Sequence, residues 1–170
     1  TPLSLYNTPI AQVLPAMPTG RITTGGFKPQ ISDIGTRHPV TADLMPPGAS
    51  EGDWGRWFRL INAAPQRGTT VMEGADAQPL LVLDRIGEGR VAQLLSDQAW
   101  LWTRGIEGGG PQAELLRRLA HWLMKEPDLE EEALRAASIG NRLEISRRTL
   151  AADPVRERSE EHTSELQSRL

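Results

Sequence analysis

The sequence predicts an α/β layered fold, on three observations. The run Leu80-Leu81-Val82-Leu83 is apolar at every position, as a strand covered on both faces requires. Strand-like segments flank it, so the three expected strands are Thr69–Met72, Pro79–Asp84 and Arg90–Ser96; the glycine-bearing loop Arg85-Ile86-Gly87-Glu88-Gly89 suits a hairpin between the second and third. A loop and an amphipathic helix follow, and strand–loop–helix is the building unit of layered α/β folds.

Before these strands, residues 1–68 are rich in turns, with eight of the 13 prolines ahead of Ser50. Thr8-Pro9 has the form of a helix start, with Ile10, Val13 and Leu14 as a small apolar face and Leu14-Pro15 as its end. Ile31-Ser32-Asp33-Ile34-Gly35 reads as one helical turn closed by glycine. Trp57–Ile61 reads as a strand, with Trp57, Arg59 and Ile61 on one side and Phe58 and Leu60 on the other. After the strands, Pro111 fits a first helical position; Leu115, Leu116, Leu119, Trp122 and Leu123 recur at helical spacing, Glu114 precedes Arg118 by one turn, and Pro127 closes the helix. Asp128–Ala137, acidic and rich in Ala and Leu, is expected as a second helix or helical linker. Arg142–Leu150 alternates Leu143, Ile145 and Arg147 against Glu144, Ser146 and Arg148, the pattern of an isolated, poorly ordered strand.

Composition narrows the functions. No cysteine occurs in the 170 residues, which excludes a disulfide scaffold, a thiolate metal site and a cysteine nucleophile within this chain. No apolar run reaches the roughly 18 residues of a membrane span, and no signal peptide opens the sequence. A net charge of −3 gives no electrostatic ground for nucleic-acid binding.

The most unusual segment is Leu94–Gly110, between the last strand and the helix. Ligands of open α/β sheets bind beyond the carboxyl ends of strands, which places Asp97 and Gln98 at such an edge with Trp100, Trp102 and Arg104 beside them. One reading is a polar cleft with aromatic walls, taking a sugar or peptide. The other is packing, with the two Trp as a lid over the sheet, Asp97 capping the turn and Arg104 paired with Asp97 or Glu107. Gly108-Gly109-Gly110 offers backbone N–H groups to an anion or forms a flexible turn; it lacks dinucleotide or phosphate-loop spacing. His38, in Arg37-His38-Pro39, is a candidate base or ligand or a structural turn residue, and His121 reads as a boundary residue. Ser96 has no nucleophile-elbow context. Trp54-Gly55-Arg56-Trp57-Phe58-Arg59 reads as core packing with a cation–π contact.

Several phrases together carry a resemblance: Ser4-Leu5-Tyr6 through Val13-Leu14-Pro15, Arg37–Thr41, Trp54–Arg59, Pro79–Val91, and Leu95-Ser96-Asp97 through Pro111. They resemble the glutamine amidotransferase-like domain of large, membrane-anchored proteobacterial proteins. The resemblance implies a partial flavodoxin-like, doubly wound sheet of the class I amidotransferase kind, truncated at its N-terminal side. It implies that residues 1–127 are the C-terminal part of that domain, 128–141 a helical linker and 142–157 the first strand of a following β domain. Residues 158–170 resemble a translated sequencing adapter and are expected to be an artefactual tail. The parent would sit in the bacterial inner membrane with this domain on the periplasmic side, touching the membrane only through parts outside this chain. Active amidotransferases use a Cys–His–Glu triad; here Ser96-Asp97-Gln98 stands where the late-strand histidine belongs, so glutamine hydrolysis is not expected. The expectation is a non-catalytic binding or assembly domain, with no cofactor, no metal, and a protein or small ligand as partner. The alternative is a hydrolase with an atypical cleft around Asp97, Gln98 and His38.

Overall fold

The computed structural model describes residues 5–44, 54–140 and 142–152. In chain order the strands are β1 (Ala16–Phe27), β2 (Gln30–Ile31), β3 (Trp57–Pro65), β4 (Thr69–Glu73), β5 (Pro79–Ile86), β6 (Gly89–Leu94), β7 (Ala133–Ile139) and β8 (Arg142–Arg148), with helices α1 (Trp100–Thr103) and α2 (Gln112–Leu123) between β6 and β7. β1 and β3 form a ribbon, β2-β4-β5-β6 a four-stranded sheet in that order, and β7-β8 a separate hairpin. Every pairing is antiparallel.

The expected α/β, flavodoxin-like doubly wound sheet is therefore corrected. Strands dominate, and among the described residues only α2 exceeds one helical turn, so no helices cross between parallel strands. The expectation rested on Leu80–Leu83, and that run is indeed interior: β4 and β6 flank it, and all four side chains are buried. Burial on both faces does not by itself require parallel neighbours. Trp57 and Leu60 from the ribbon join Leu115 and Trp122 from α2 in the same apolar cluster, which supplies the covering layers. β5 and β6 close as a hairpin, with Ile86 opposite Gly89. Just past β6, Leu95 N–H donates to Leu80 O at 2.8 Å, and Leu95 O accepts from Ile61 N–H at 2.8 Å. One residue thus joins the sheet to the ribbon.

The ribbon was hidden in the turn-rich stretch. β1 carries Pro18 and three glycines, yet it pairs along β3 with register shifts between Pro18 and Ile22 and between Thr24 and Phe27. Gly20 (φ +82°) and Gly25 (φ +125°) stand inside those shifts, where a bulged strand needs residues without a Cβ. The irregular partner also explains β3, which buries Trp57, Leu60 and Ala63 instead of every second residue. Near the start, Pro9–Gln12 is a short 3₁₀ turn, and Ile10 and Val13 face solvent, so the expected apolar face is not used. On α2, Leu115 and Trp122 are buried while Leu116 and Leu123 are exposed.

The helical linker expected at 128–141 is corrected as well. A 3₁₀ turn spans Pro127–Leu129, and β7 follows. Arg142–Leu150 does contain a strand, but it is not isolated, because β7 pairs with it along its whole length. The local helical preference of Ala and Leu loses to this pairing and to the polar contacts of Glu130, Glu131 and Glu132, none of which lies in a helix. The expected tail at 158–170, and 153–157 before it, lie outside the described residues.

Candidate functional site

Of the residues singled out in the 94–110 segment, Trp102 is drawn into packing and Gln98 is half-buried, whereas Asp97, Trp100 and Arg104 stay on the surface. Asp97 Oδ2 accepts from Arg59 Nη1 at 2.9 Å, on the surface. Gln98 Oε1 accepts from Phe58 N–H at 2.5 Å, and Gln98 N–H donates to Ser96 Oγ at 3.2 Å. The Ser96 hydroxyl in turn donates to Arg59 O at 2.6 Å. Trp102 is buried, its ring 5.2 Å from Trp54 and 4.9 Å from Trp57, with Nε1 donating to Gly55 O at 2.8 Å. A Cβ at Gly110 would lie 2.4 Å from that indole, so the glycine run here serves close approach. Trp100 is 51% exposed and Arg104 is exposed. Glu107, a partner expected for Arg104, is held by Arg56 (Nε–Oε2 2.8 Å), and the hydrogen bonds from Arg56 bring its carboxyl down to about 2. Arg56 also lies 5.8 Å from the Phe58 ring centre, the cation–π contact read from the sequence.

His38 shares no hydrogen-bond partner with Asp97 or Gln98. It lines a cavity of about 220 Å³ together with Asp84, Arg85, Trp122, Glu131 and Leu150. The imidazole is buried at 1% exposure. Val40 N–H points at Nδ1 (3.2 Å), so Nδ1 is the acceptor and the proton resides on Nε2, which donates to Glu131 Oε1 at 3.2 Å. The same carboxylate oxygen accepts from Trp122 Nε1 at 3.0 Å, and Arg85 binds the other one. Burial raises the Glu131 pKa, but the donors His38, Arg85 and Trp122, with the Arg85 charge, outweigh it and bring it down to about 2. Asp84 Oδ1 accepts from Arg85 N–H at 2.9 Å, and its buried Oδ2 lies 2.8 Å from Arg67 Nε without hydrogen-bond alignment. Among the described residues no group of three or more His, Asp or Glu is placed to hold a metal ion.

This cavity adjoins the root of the β7–β8 hairpin, which three consecutive glutamates tie down, Glu131 of them lining the cavity. Glu130 accepts from Arg85 at 2.7 Å and from Arg90, which is itself 5.1 Å from the Trp122 ring centre. Glu131 binds the His38 cluster. Glu132 Oε1 accepts from Thr149 Oγ (2.8 Å) and Leu150 N–H (3.1 Å), tying the two ends of the hairpin together. Arg37 Nε donates to Leu150 O at 3.2 Å, and Arg148 Nη1 to Asp128 O at 2.6 Å.

Past this root the hairpin stands in solvent on both faces. The register puts Leu134, Ala136 and Ser138 on one face with Leu143, Ile145 and Arg147, the arginine opposite Leu134; Leu134 is 74%, Leu143 67% and Ile145 62% exposed. Neither the root nor this face follows from reading 128–137 as a helix. The available signal was Gly140-Asn141, a hairpin-type dipeptide between two seven-residue arms.

No protein-family model matches the chain, and no curated protein matches it. A solved structure does: the cytoplasmic protein STM3548 from Salmonella typhimurium, at TM-score 0.54 and 21% identity, covering 69% of this chain. This chain spans 46% of that protein's length, and the likeness concerns the fold alone. The expected placement of a parent in the bacterial inner membrane, with a periplasmic domain, is corrected here. The finding against it is that the solved neighbour is a cytoplasmic protein. Among the described residues no helix is long and apolar enough to cross a membrane, which an anchor outside this chain would also give.

Proposed function

We propose that this chain is a non-catalytic binding or assembly domain and that the β7–β8 hairpin is its binding element. The observation that carries this reading is the exposed apolar face of Leu134, Leu143 and Ile145, held out on a root tied down by Glu130, Glu131 and Glu132. Exposed apolar surface gathered on one projecting element marks an interaction site more often than scattered single residues do. A rigid root lowers the ordering cost of docking. The chemistry around His38 supports the same reading. A general base needs a free lone pair, and the His38 Nδ1 lone pair is engaged by Val40 N–H while its Nε2 proton serves Glu131.

Two measurements test the proposal on the full chain. Assays with glutamine and with simple activated esters are expected to give no turnover above buffer; turnover abolished by His38→Ala overturns the non-catalytic reading. A solvatochromic apolar dye is expected to bind, and the pair Leu134→Asp and Ile145→Asp is expected to remove most of that signal with the thermal transition unchanged. Undiminished dye binding in the double variant would place the apolar surface elsewhere.

A further inference from the structure

We infer that the partner of the hairpin is a second copy of this chain, paired antiparallel along the outer edge of β7 about a two-fold axis at Ala136. The inference rests on the binding role proposed above and names the partner. β7 and β8 form a two-stranded sheet whose outer edges have no strand partner among the described residues. Two strands alone are marginal in water, and further strands supply the missing pairing. In a hairpin whose residues Ile139 and Arg142 pair across a two-residue loop, backbone direction alternates from that pair onward. Ala133, Arg135, Ala137 and Ile139 turn their N–H and C=O groups to β8, and Leu134, Ala136 and Ser138 turn theirs outward, where another strand can take them up.

The residues of β7 fit their own copy in one register. A two-fold axis through a residue keeps the same face of both hairpins on one side of the joined sheet, and Ala136 is the middle residue of the strand. An axis there pairs the strand over its whole length and uses all three outward-facing residues. Ala136 meets its copy, and each larger side chain meets a small one: Leu134 the partner's Ser138, Arg135 the partner's Ala137, and Ile139 the partner's Ala133. Moving the axis to Arg135 would set that guanidinium against its own copy. Moving it to Ala137 would set Arg135 against Ile139 and run Ala133 and Leu134 past the end of the partner's strand.

Charge does not oppose this contact. Arg135, the one charge on β7, is held by Asp128 of its own chain at 2.6 Å, so two β7 edges meet as nearly neutral strands. The register also keeps Leu134 and Ala136 of both copies on the face that carries Leu143 and Ile145, and the two apolar patches become one across a four-stranded sheet. β8, with three arginines and a glutamate, is left outermost on both sides. A strand so charged discourages further addition, and the assembly closes at two chains.

Sedimentation velocity on the full chain, from micromolar to sub-millimolar concentration, is expected to show a reversible monomer–dimer equilibrium. Ala136→Lys and Ala136→Glu, at an exposed position, each set like charges face to face on the axis and are expected to weaken dimerisation at least about tenfold. Their equimolar mixture is expected to restore it as a heterodimer, because position 136 meets position 136. A further variant reads the axis without adding charge. Ala136→Cys, in a chain with no other cysteine, is expected to form an intermolecular disulfide with oxidised glutathione far faster than Ala133→Cys, whose two copies stand at opposite ends of the paired strands. A chain that stays monomeric throughout overturns the inference. So do single variants that dimerise as strongly as the unaltered chain, a mixture no stronger than its components, or equal disulfide rates at the two positions. If the chain stays monomeric while dye binding still depends on Leu134 and Ile145, only the partner is wrong and the binding role stands.

Discussion

β5 and β7 are antiparallel strands of similar length in opposite surroundings. Leu80 to Leu83 on β5 are at most 2% exposed, whereas Leu134 and Ile139 on β7 are 74% and 62% exposed. Both strands satisfy backbone groups through pairing, so pairing does not distinguish them. Burial does: each large apolar side chain fully removed from water contributes about 1.5–3 kcal/mol, and β7 gains little of this. A two-stranded hairpin alone is marginal in water. What holds β7–β8 in place is the polar root, where Glu130, Glu131 and Glu132 meet Arg85, Arg90, His38, Trp122 and Thr149. The body is held by apolar packing and the hairpin by directed polar contacts, and the two respond to different perturbations.

Trp122 belongs to both regimes, so its loss is expected to have the largest effect. The indole is fully buried in the core cluster, and its Nε1 donates to Glu131. Trp122→Ala is expected to cost about 3–5 kcal/mol in urea unfolding, and to release the hairpin at the same time. A variant with an unchanged urea midpoint would mean that the core does not centre on this side chain.

How much of this was legible in the sequence depends on which force dominates locally. β4, β5 and β6 were visible because burial writes itself as apolar residue type, and Leu80–Leu83 is such a run. Their antiparallel order was not visible, because a both-face-buried strand has the same composition in either sheet type, and the α/β expectation failed on that ambiguity. β1 was lost because Gly20, Gly25 and Pro18 are turn residues by local rules and bulge residues in context. The expected cleft residues Asp97, Gln98 and Trp102 do converge on one loop, but onto Arg59, Phe58 N–H and Gly55 O. His38 stands out in the sequence and Glu131 does not, since their meeting spans 93 positions and no local pattern records it.

The clamp itself can be removed next. Glu131→Ala leaves the Trp122 Nε1 and His38 Nε2 donors without their acceptor in a largely buried place. A cost of about 1–3 kcal/mol is expected in urea unfolding, with amide exchange accelerating through β7 and β8 far more than through β5. Uniform acceleration across both regions would erase the distinction between root-held and core-held strands.

Acid should dissect the same contacts without mutation. The Glu131 carboxyl is brought from an ordinary 4.5 down to about 2 in the folded protein, with burial opposing the shift and His38, Arg85 and Trp122 driving it. Glu130 is lowered in the same direction, its hydrogen bond from Arg85 foremost. Carboxyls of this kind bind protons more tightly when unfolded, so their contribution is complete above about pH 4.5 and fades as pH falls toward 2. Amide exchange corrected for its intrinsic pH dependence is expected to show β7–β8 losing protection within that window, ahead of β5. A hairpin that keeps its protection to pH 2.5 would show that something other than the glutamates holds it.

The smallest effect is expected at Leu134, and it is also the sharpest test of the exposed face. An apolar side chain already in water has little transfer free energy to lose, so Leu134→Ala should change stability by no more than about 0.5 kcal/mol, against about 2–5 kcal/mol for Leu81→Ala inside β5. The urea slope should also be unchanged, because almost no buried surface is altered. A cost at Leu134 well above about 1 kcal/mol in dilute solution would mean that this face is already covered in the free protein. The hairpin would then belong to the packed body, and the apolar surface invoked for binding would not be available to a partner.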